Sequence, residues 1–155
     1  MDFKVEKEWT SHGFQCVVVA TRLGHRCGYV GIGRYHRLYG VGYSQESELL
    51  KEKTGARQET TPESFFDAHG GLTFADTREE NPGLWFFGFD CAHPHDSPDP
   101  ALMGELPEDL RKILGGRVGG TVWTEEMVAA ECEKLARQLF DVMDGPVWID
   151  CEVEL

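Results

Sequence analysis

Reactive side chains are concentrated in four short segments of this 155-residue chain. The segments are GHRCGY at 24–29, HGGL at 69–72, FGFDCAH at 87–93 and the PHD that follows it at 94–96. They combine imidazole, carboxylate, thiol and guanidinium groups, which bind anions or metal ions and transfer protons. If the strands that carry them are neighbours in one sheet, their ends converge and form a single pocket mouth.

The first segment lies in a basic, aromatic and glycine-rich part of an acidic protein. Between Trp9 and Gln45 there are four Arg and no Asp or Glu, so this part carries +4, and the remaining 11 basic and 27 acidic residues carry −16. Arginine binds phosphate through a fork of donors, and an aromatic face stacks on a nucleobase. Glycines let a ligand approach the backbone closely; the ones in or beside these segments are Gly28, Gly31, Gly33, Gly70 and Gly71. This pattern favours a small anionic ligand.

We therefore predict a set of ligand-binding residues. Arg26 or Arg22 would bind the phosphate of the ligand. The base would lie against one of three aromatic residues, Tyr29, Tyr39 and Trp85. Hydrogen bonds that orient the ligand would come from His69, Asp90 and His93, and His25 completes the set. The simpler interpretation is that such arginines and tyrosines form a solvated face and such glycines mark bulges.

Two other chemistries remain open on the residues alone. Asp90, His93, His95 and Asp96 have the residue types that bind a divalent ion, although a solvated proline-rich loop is the simpler interpretation. Cys27 or Cys91 beside His25 or His69 has the residue types of an activated thiolate, although a buried small residue is the simpler interpretation. We assign no catalytic residue, no metal ligand and no cofactor, and leave open whether the protein is an enzyme.

The elements that must position these residues are mainly strands. The segment FKVEKEW at 3–9 and the run that follows it at 14–22 both read as β. Further strands are predicted over 27–33, 70–76 and 83–92, with a hairpin through Gly24 between 14–22 and 27–33. The clearest element is a helix over 124–145, because its apolar residues step by 4, 3, 4 and 3. They are Val128, Cys132, Leu135, Leu139 and Val142. We predict one α+β domain over 1–155, with an antiparallel sheet of four to six strands and this helix packed on one face.

Shorter signals complete the predicted fold. Gly55 would end a short helix within 44–55, with a mobile charged loop as the open alternative for that segment. Thr61 would cap a helix that begins at Pro62. Further elements are a short helix over 106–116 and a terminal strand over 147–155. The pair His36 and Arg37 is interpreted as a surface turn.

Composition limits the classes of partner and compartment. The net charge of −12 disfavours an extended nucleic-acid partner, because a strongly acidic surface repels the phosphate backbone. No apolar stretch predicts a membrane span or a signal peptide, so we expect a cytoplasmic protein. Five Cys without a C-x-x-C pair are expected to be reduced, with Cys16 and Cys132 as small core residues. A homodimer is the predicted assembly.

The blocks GHRCGYVGIG, HGGLTF and WFFGFDCAHPHD, with the helix TEEMVAAECEKLARQL, resemble a group of small proteins encoded in tailed-phage genomes. The resemblance covers roughly residues 9–140. It implies a phage accessory protein that acts in the cytoplasm of a bacterial host, and it brings no established active site. The HPHDSPDP stretch differs from the simpler loop of that group.

Phage accessory proteins of this size commonly counter host defence, and some sequester nucleotide signals. The functional expectation is therefore a protein that binds and withholds a small phosphate-containing ligand, with a nucleotide immune signal as the class of ligand. Two alternatives are kept. One is a metal-dependent phosphodiesterase that uses His69, Asp90, His93 and His95, and the other is an acidic inhibitor of a protein interaction.

Overall fold

The computed structural model describes residues 3–55, 58–103, 107–109, 113 and 120–144. The strands are β1 Phe3–Ser11, β2 Phe14–Thr21, β3 Arg26–Ile32, β4 Phe74–Arg78, β5 Asn81–Asp90, β6 Asp96–Ser97 and β7 Thr121–Val122. The helices are α1 Glu48–Thr54, α2 Pro62–Phe65 and α3 Glu125–Asp144, with a 3-10 helix at Pro100–Met103. The predicted α+β class is confirmed.

Five strands form one antiparallel sheet in the order β1-β2-β3-β5-β4. The continuous apolar run of β2 is buried over Cys16–Ala20, as expected for a strand covered on both faces. The predicted turn through Gly24 joins β2 to β3, with a φ of 95° at Gly24 that favours glycine. The sheet thus places the start of β3 beside the end of β5, where Cys27 pairs with Asp90.

Helix α3 covers one face of the sheet and packs on β1, β2 and β3. Its N-terminus is capped by Thr124, whose hydroxyl accepts a hydrogen bond from the backbone N–H of Met127 at 3.2 Å. The predicted apolar stripe is buried along its whole length; its members are Val128, Cys132, Leu135, Leu139 and Val142. Together with residues of β2, β3 and β5 they form the main core.

Two glycines of β3 serve the packing of the protein's own aromatic rings. A Cβ on Gly28 would lie 2.5 Å from Phe89 Cζ and 2.7 Å from Cys132 Sγ, and one on Gly31 would lie 2.6 Å from Phe86 Cε2. The expectation that a ligand approaches the backbone at these two positions is therefore wrong, because the space above them is already filled. Small residues at these positions let large rings of β5 lie across the neighbouring strand.

The opposite face of the sheet has its own small apolar cluster. Val17, Val19 and Phe86 are buried there, with Tyr29 and Phe74 packed against them. Residues of both edge strands, β1 and β4, line one cleft of about 230 Å³ on this face. The cleft therefore extends across the sheet face away from α3, between the two edge strands.

The local helix signals of the middle region are confirmed. Ser47 caps α1, and Gly55 ends it in the left-handed conformation with a φ of 76°. Thr61 and Ser64 form a reciprocal capping box at the start of α2, with Pro62 in the first turn. The predicted strand over 147–155 and most of the predicted helix over 106–116 lie outside the described residues. Within those residues, no helix has the length and apolar character to cross a bilayer.

The prediction of His36 as a surface residue is wrong. Its side chain is buried, Nε2–H donates to the carbonyl of Leu139 at 2.8 Å, and Nδ1 accepts from the backbone N–H of Leu38 at 3.1 Å. Burial lowers the pKa of His36 and outweighs the opposing effect of the bond to Leu139. Protonation of Nδ1 would also break the bond from Leu38, so the folded state keeps a neutral ring.

We expect His36 to make folding stability depend on pH. Because its pKa is lower in the folded than in the unfolded state, its contribution is full above about pH 6.5 and is lost as the pH falls through the folded-state pKa. Urea denaturation between pH 7.5 and 5 should show a smaller loss of stability in His36→Gln than in the wild type. Equal losses in both proteins would contradict this assignment.

Candidate functional site

The four reactive segments do converge at one end of the sheet. The backbone N–H of Cys91 donates to the carbonyl of Arg26 at 2.9 Å, and His25 Nδ1 lies 2.8 Å from the Cys91 carbonyl. The HGGL segment leads into β4, where the backbone N–H of Thr73 donates to the carbonyl of Gly88 at 2.9 Å. We call the group His69, Asp90, His93, Asp96 and Trp123 the histidine cluster.

His69 is held by a buried carboxylate. Its Nε2 lies 2.9 Å and 3.0 Å from the two carboxylate oxygens of Asp96, a residue only 2% exposed. The imidazole also lies over the ring of Trp123, with centroids 4.0 Å apart and planes inclined by 35°. The side chain is 22% exposed, and no hydrogen bond of its Nδ1 is found within the described part of the chain. The His69 ring is thus fixed by Asp96 at Nε2, and Nδ1 can form a hydrogen bond to a ligand.

Asp96 owes its position to the backbone around it. Its N–H donates to the carbonyl of His93 at 2.8 Å, while its carboxylate accepts from the backbone N–H of His93 at 2.9 Å. Asp96 also begins β6, which pairs in parallel with β7 at Thr121. This short pairing brings Trp123, just after β7, beside His69. The proline-rich HPHDSPDP stretch therefore contains a tight turn that presents a carboxylate.

His93 lies beside His69 and against a glycine. The ring centroids of the two histidines are 5.6 Å apart. A Cβ on Gly70 would lie 2.0 Å from His93 Nε2, so only glycine fits at this position, where φ is also positive at 69°. His93 Nε2 is buried, lies 3.4 Å from Asp90 Oδ1 and makes no hydrogen bond within the described residues. The absence of a side chain at Gly70 thus leaves the space that the His93 ring occupies next to His69.

Asp90 is bound on both oxygens. Oδ1 accepts from the backbone N–H of Ala92 at 3.1 Å, and Oδ2 accepts from the Thr73 hydroxyl at 3.1 Å. The carboxylate is half-buried and links the end of β5 to the start of β4. It is the second carboxylate of the histidine cluster, and its Oδ1 lies 3.4 Å from Nε2 of His93.

Arg26 does not present its guanidinium to a ligand. The residue is 7% exposed; Nε lies 2.6 Å from Glu6 Oε1, and Nη1 lies 2.9 Å from both Asp99 Oδ2 and the carbonyl of Trp123. Burial acts to lower the pKa of Arg26, but the hydrogen bonds and charges of Glu6 and Asp99 outweigh it and raise that pKa. The predicted phosphate clamp is instead an internal ion network with two carboxylates.

The other candidate residues in or near the GHRC segment have structural partners or lie outside the histidine cluster. His25 is half-buried on the Cys91 carbonyl, and Arg22 is exposed in the turn between β2 and β3. Burial, reinforced by the charge of Asp90, raises the pKa of Cys27 to about 11, and burial also raises that of Cys91. A raised thiol pKa is the reverse of what nucleophilic catalysis requires, so an activated thiolate has no support at either position.

The cysteines are free thiols at every described position. Cys16 and Cys132 are fully buried core residues, as predicted, and burial raises the pKa of Cys16 to about 12. Cys27 is half-buried and Cys91 is buried. Cys151 lies outside the described residues.

The three predicted aromatic residues lie away from the histidine cluster. Tyr29 is on the sheet face opposite α3, where its ring meets Phe74 edge-on with centroids 5.1 Å apart. Tyr39 and Trp85 lie together, and Trp85 pairs with Ile32. Five ladder positions separate Trp85 from Asp90, which is roughly 17 Å along a strand. The predicted residues therefore do not line one pocket.

Two residues near these sites were missed from the sequence. Trp123 lies in a segment without reactive neighbours, and nothing in its sequence context links it to His69. Arg78 lies outside the basic segment, yet its guanidinium is 5.3 Å from the ring centroid of Tyr29. The only signal for Trp123 was an aromatic residue directly before the predicted helix over 124–145, and it is too common to be specific.

Among the described residues, no three His, Cys, Asp or Glu side chains are arranged as a metal site. No protein-family model, curated protein or solved structure matches this chain.

Proposed function

We propose that this protein binds and sequesters a small phosphate-containing ligand at the histidine cluster. A nucleotide immune signal is the proposed class of ligand, and the cytoplasm of a bacterial host is the proposed compartment. The resemblance to phage accessory proteins points to the same class. One observation carries the proposal: Nε2 of His69 is fixed on the buried carboxylate of Asp96, while Nδ1 of the same ring has no partner among the described residues and the side chain is 22% exposed.

This arrangement can donate a hydrogen bond from His69 to an oxygen atom of the ligand. When the imidazole carries both protons, Nε2–H stays on Asp96 and Nδ1–H is a charged donor directed away from it. Stacking on Trp123 and contact with His93 restrict the ring, so little side-chain freedom is lost on binding. The neighbouring glycine turn carries no side chain at Gly71, where a Cβ would meet nothing within 4 Å. A ligand can therefore approach the backbone beside His69.

A thermal-shift panel of cyclic and ADP-ribose-type nucleotides tests this proposal. A true ligand at 100 times its Kd should stabilise the wild type by about 2.7 kcal/mol. His69→Gln keeps an N–H donor for Asp96 but removes the outward nitrogen, and we expect it to weaken binding about tenfold or more. His12→Gln, at the exposed turn between β1 and β2, is the matched control. Absence of any shift, or wild-type affinity in His69→Gln, would contradict the proposal.

The same geometry favours hydrolysis as a second candidate function. An imidazole oriented by a carboxylate can accept a proton from water as it attacks phosphorus. The bond from phosphorus to the leaving oxygen then breaks, and the imidazolium returns the proton to that oxygen. His69 would be the base and Asp96 the positioning residue. This candidate differs from the first because the ligand is consumed.

Chromatography of nucleotides after incubation separates the two candidates. Unchanged nucleotide favours sequestration. Cleavage that persists with a chelator and falls about 10²- to 10⁴-fold in His69→Gln favours acid–base hydrolysis. Cleavage abolished by the chelator would instead support the metal-dependent phosphodiesterase that the sequence left open.

A further inference from the structure

We propose that the cleft on the sheet face opposite α3 is a second ligand site, which takes one planar nitrogen heterocycle of the nucleobase type. This site is independent of the histidine cluster. Its volume is about 230 Å³. That is below the roughly 300–1,000 Å³ of pockets that enclose drug-sized ligands, so it fits a single ring system. Its lining residues are Phe3, Val5, Val19, Tyr29, Phe74, Arg78, Glu79 and Glu80.

The cleft offers flat apolar surface. Tyr29 and Phe74 meet edge-on at an interplanar angle of 78°, which leaves ring surface on the wall of the cleft. Phe3 on the edge strand β1 is 48% exposed, although it is a large apolar residue at the rim. A planar ligand would cover this ring. Stacking on an aromatic residue contributes about 1–3 kcal/mol per base.

The aromatic wall is held in place by contacts within the protein. A Cβ on Gly88 would lie 2.5 Å from Tyr29 Cδ1, so the tyrosine ring rests directly on the neighbouring strand. The guanidinium of Arg78 lies 5.3 Å from the Tyr29 ring centroid and 5.4 Å from that of Phe86. Tyr29 is thus held by Gly88 on one side and by Arg78 on the other. The guanidinium of Arg78 also places a planar cation beside the space for a ligand.

The charges decide which kind of ring fits. Glu79 and Glu80 are exposed at the cleft, and Glu80 is only loosely paired, with its Oε1 3.7 Å from Arg78 Nη2. Two carboxylates against one guanidinium disfavour an anionic ring. Carboxylates accept hydrogen bonds from N–H groups, which nucleobases carry on their edges. The cleft therefore favours a neutral heterocycle with N–H donors that lies on the aromatic wall.

Binding of 2-aminopurine riboside, followed by quenching of its fluorescence, tests the site. We expect saturable quenching by the wild type and about tenfold weaker binding by Phe3→Ala. Glu80→Gln should also weaken binding, because it exchanges a carboxylate acceptor for an amide. Tyr35→Ala, which removes an aromatic residue that is 84% exposed outside the cleft, should bind as the wild type does.

The proposal would be overturned by the absence of saturable quenching, by equal affinity of Phe3→Ala and the wild type, or by equal affinity for benzoate, a planar anion without N–H donors. His69→Gln separates this site from the histidine cluster. Unchanged affinity in that variant supports the cleft, whereas loss of affinity would place the probe at the histidine cluster and overturn the assignment.

Discussion

Replacement of Arg26 by Met lowers the free energy of unfolding by about 3–5 kcal/mol, which we expect to be the largest effect of any of the proposed single substitutions. The guanidinium belongs to a residue that is 7% exposed, and it neutralises Glu6 and Asp99, whose side chains are 13% and 18% exposed. Methionine fills much of the same volume but leaves both carboxylates without their cation. The loss therefore comes mainly from uncompensated buried charge. Urea denaturation at pH 7 measures it.

A surface ion pair provides the matched control. Arg37 Nη2 contacts Glu52, but both side chains are 44% exposed. Arg37→Met should therefore cost less than about 1 kcal/mol, because solvent screens this pair. Adding Glu6→Gln and Asp99→Asn to Arg26→Met should recover part of the lost stability. A small loss in Arg26→Met alone, similar to that of Arg37→Met, would show that the network is not energetically coupled.

Gly28→Ala should destabilise the fold by about 1–3 kcal/mol, although it adds one methyl group. That group would lie 2.5 Å from Phe89 Cζ and 2.7 Å from Cys132 Sγ, between the sheet and α3. Both neighbours are themselves fully or almost fully buried, so neither can move without disturbing the core. Thermal unfolding followed by circular dichroism would report the change.

Gly33→Ala is the comparison for this substitution. Gly33 follows the same strand, and an added Cβ would meet nothing within 4 Å. We expect the stability of this variant to lie within about 0.5 kcal/mol of the wild type. Equal stability of both variants would mean that the sheet and α3 can separate at little cost, contrary to the close packing at Gly28.

Local signals predicted most of the fold. The turn at Gly24, the end of α1 at Gly55 and the cap at Thr61 each depend on residues that are adjacent in sequence. The apolar stripe of α3 is likewise a periodic pattern within one element. The physical cause of each of these features lies within a short stretch of sequence, so each could be predicted from the sequence alone.

The site depends on partners that are distant in sequence. Arg26 was interpreted as free for a ligand because its own segment has no acid, yet its partners Glu6 and Asp99 are 20 and 73 positions away. The partner of His69 is 27 positions away, in a proline-rich loop that gave little reason to expect a buried carboxylate. His36 was misjudged for the same reason, because its acceptor belongs to α3.

Trp123 makes two contacts that belong to different parts of the protein. Its carbonyl accepts from Arg26 at 2.9 Å, and its ring lies against His69. The network that sustains the fold and the cluster that we propose for binding therefore share one residue. Arg26 bonds the backbone carbonyl, so replacing the Trp123 side chain would change the surface beside His69 and leave this bond in place. Loss of the Arg26 guanidinium would instead release the backbone that carries the ring. If a ligand binds at His69 as we propose, we expect its affinity to fall in Arg26→Met as well.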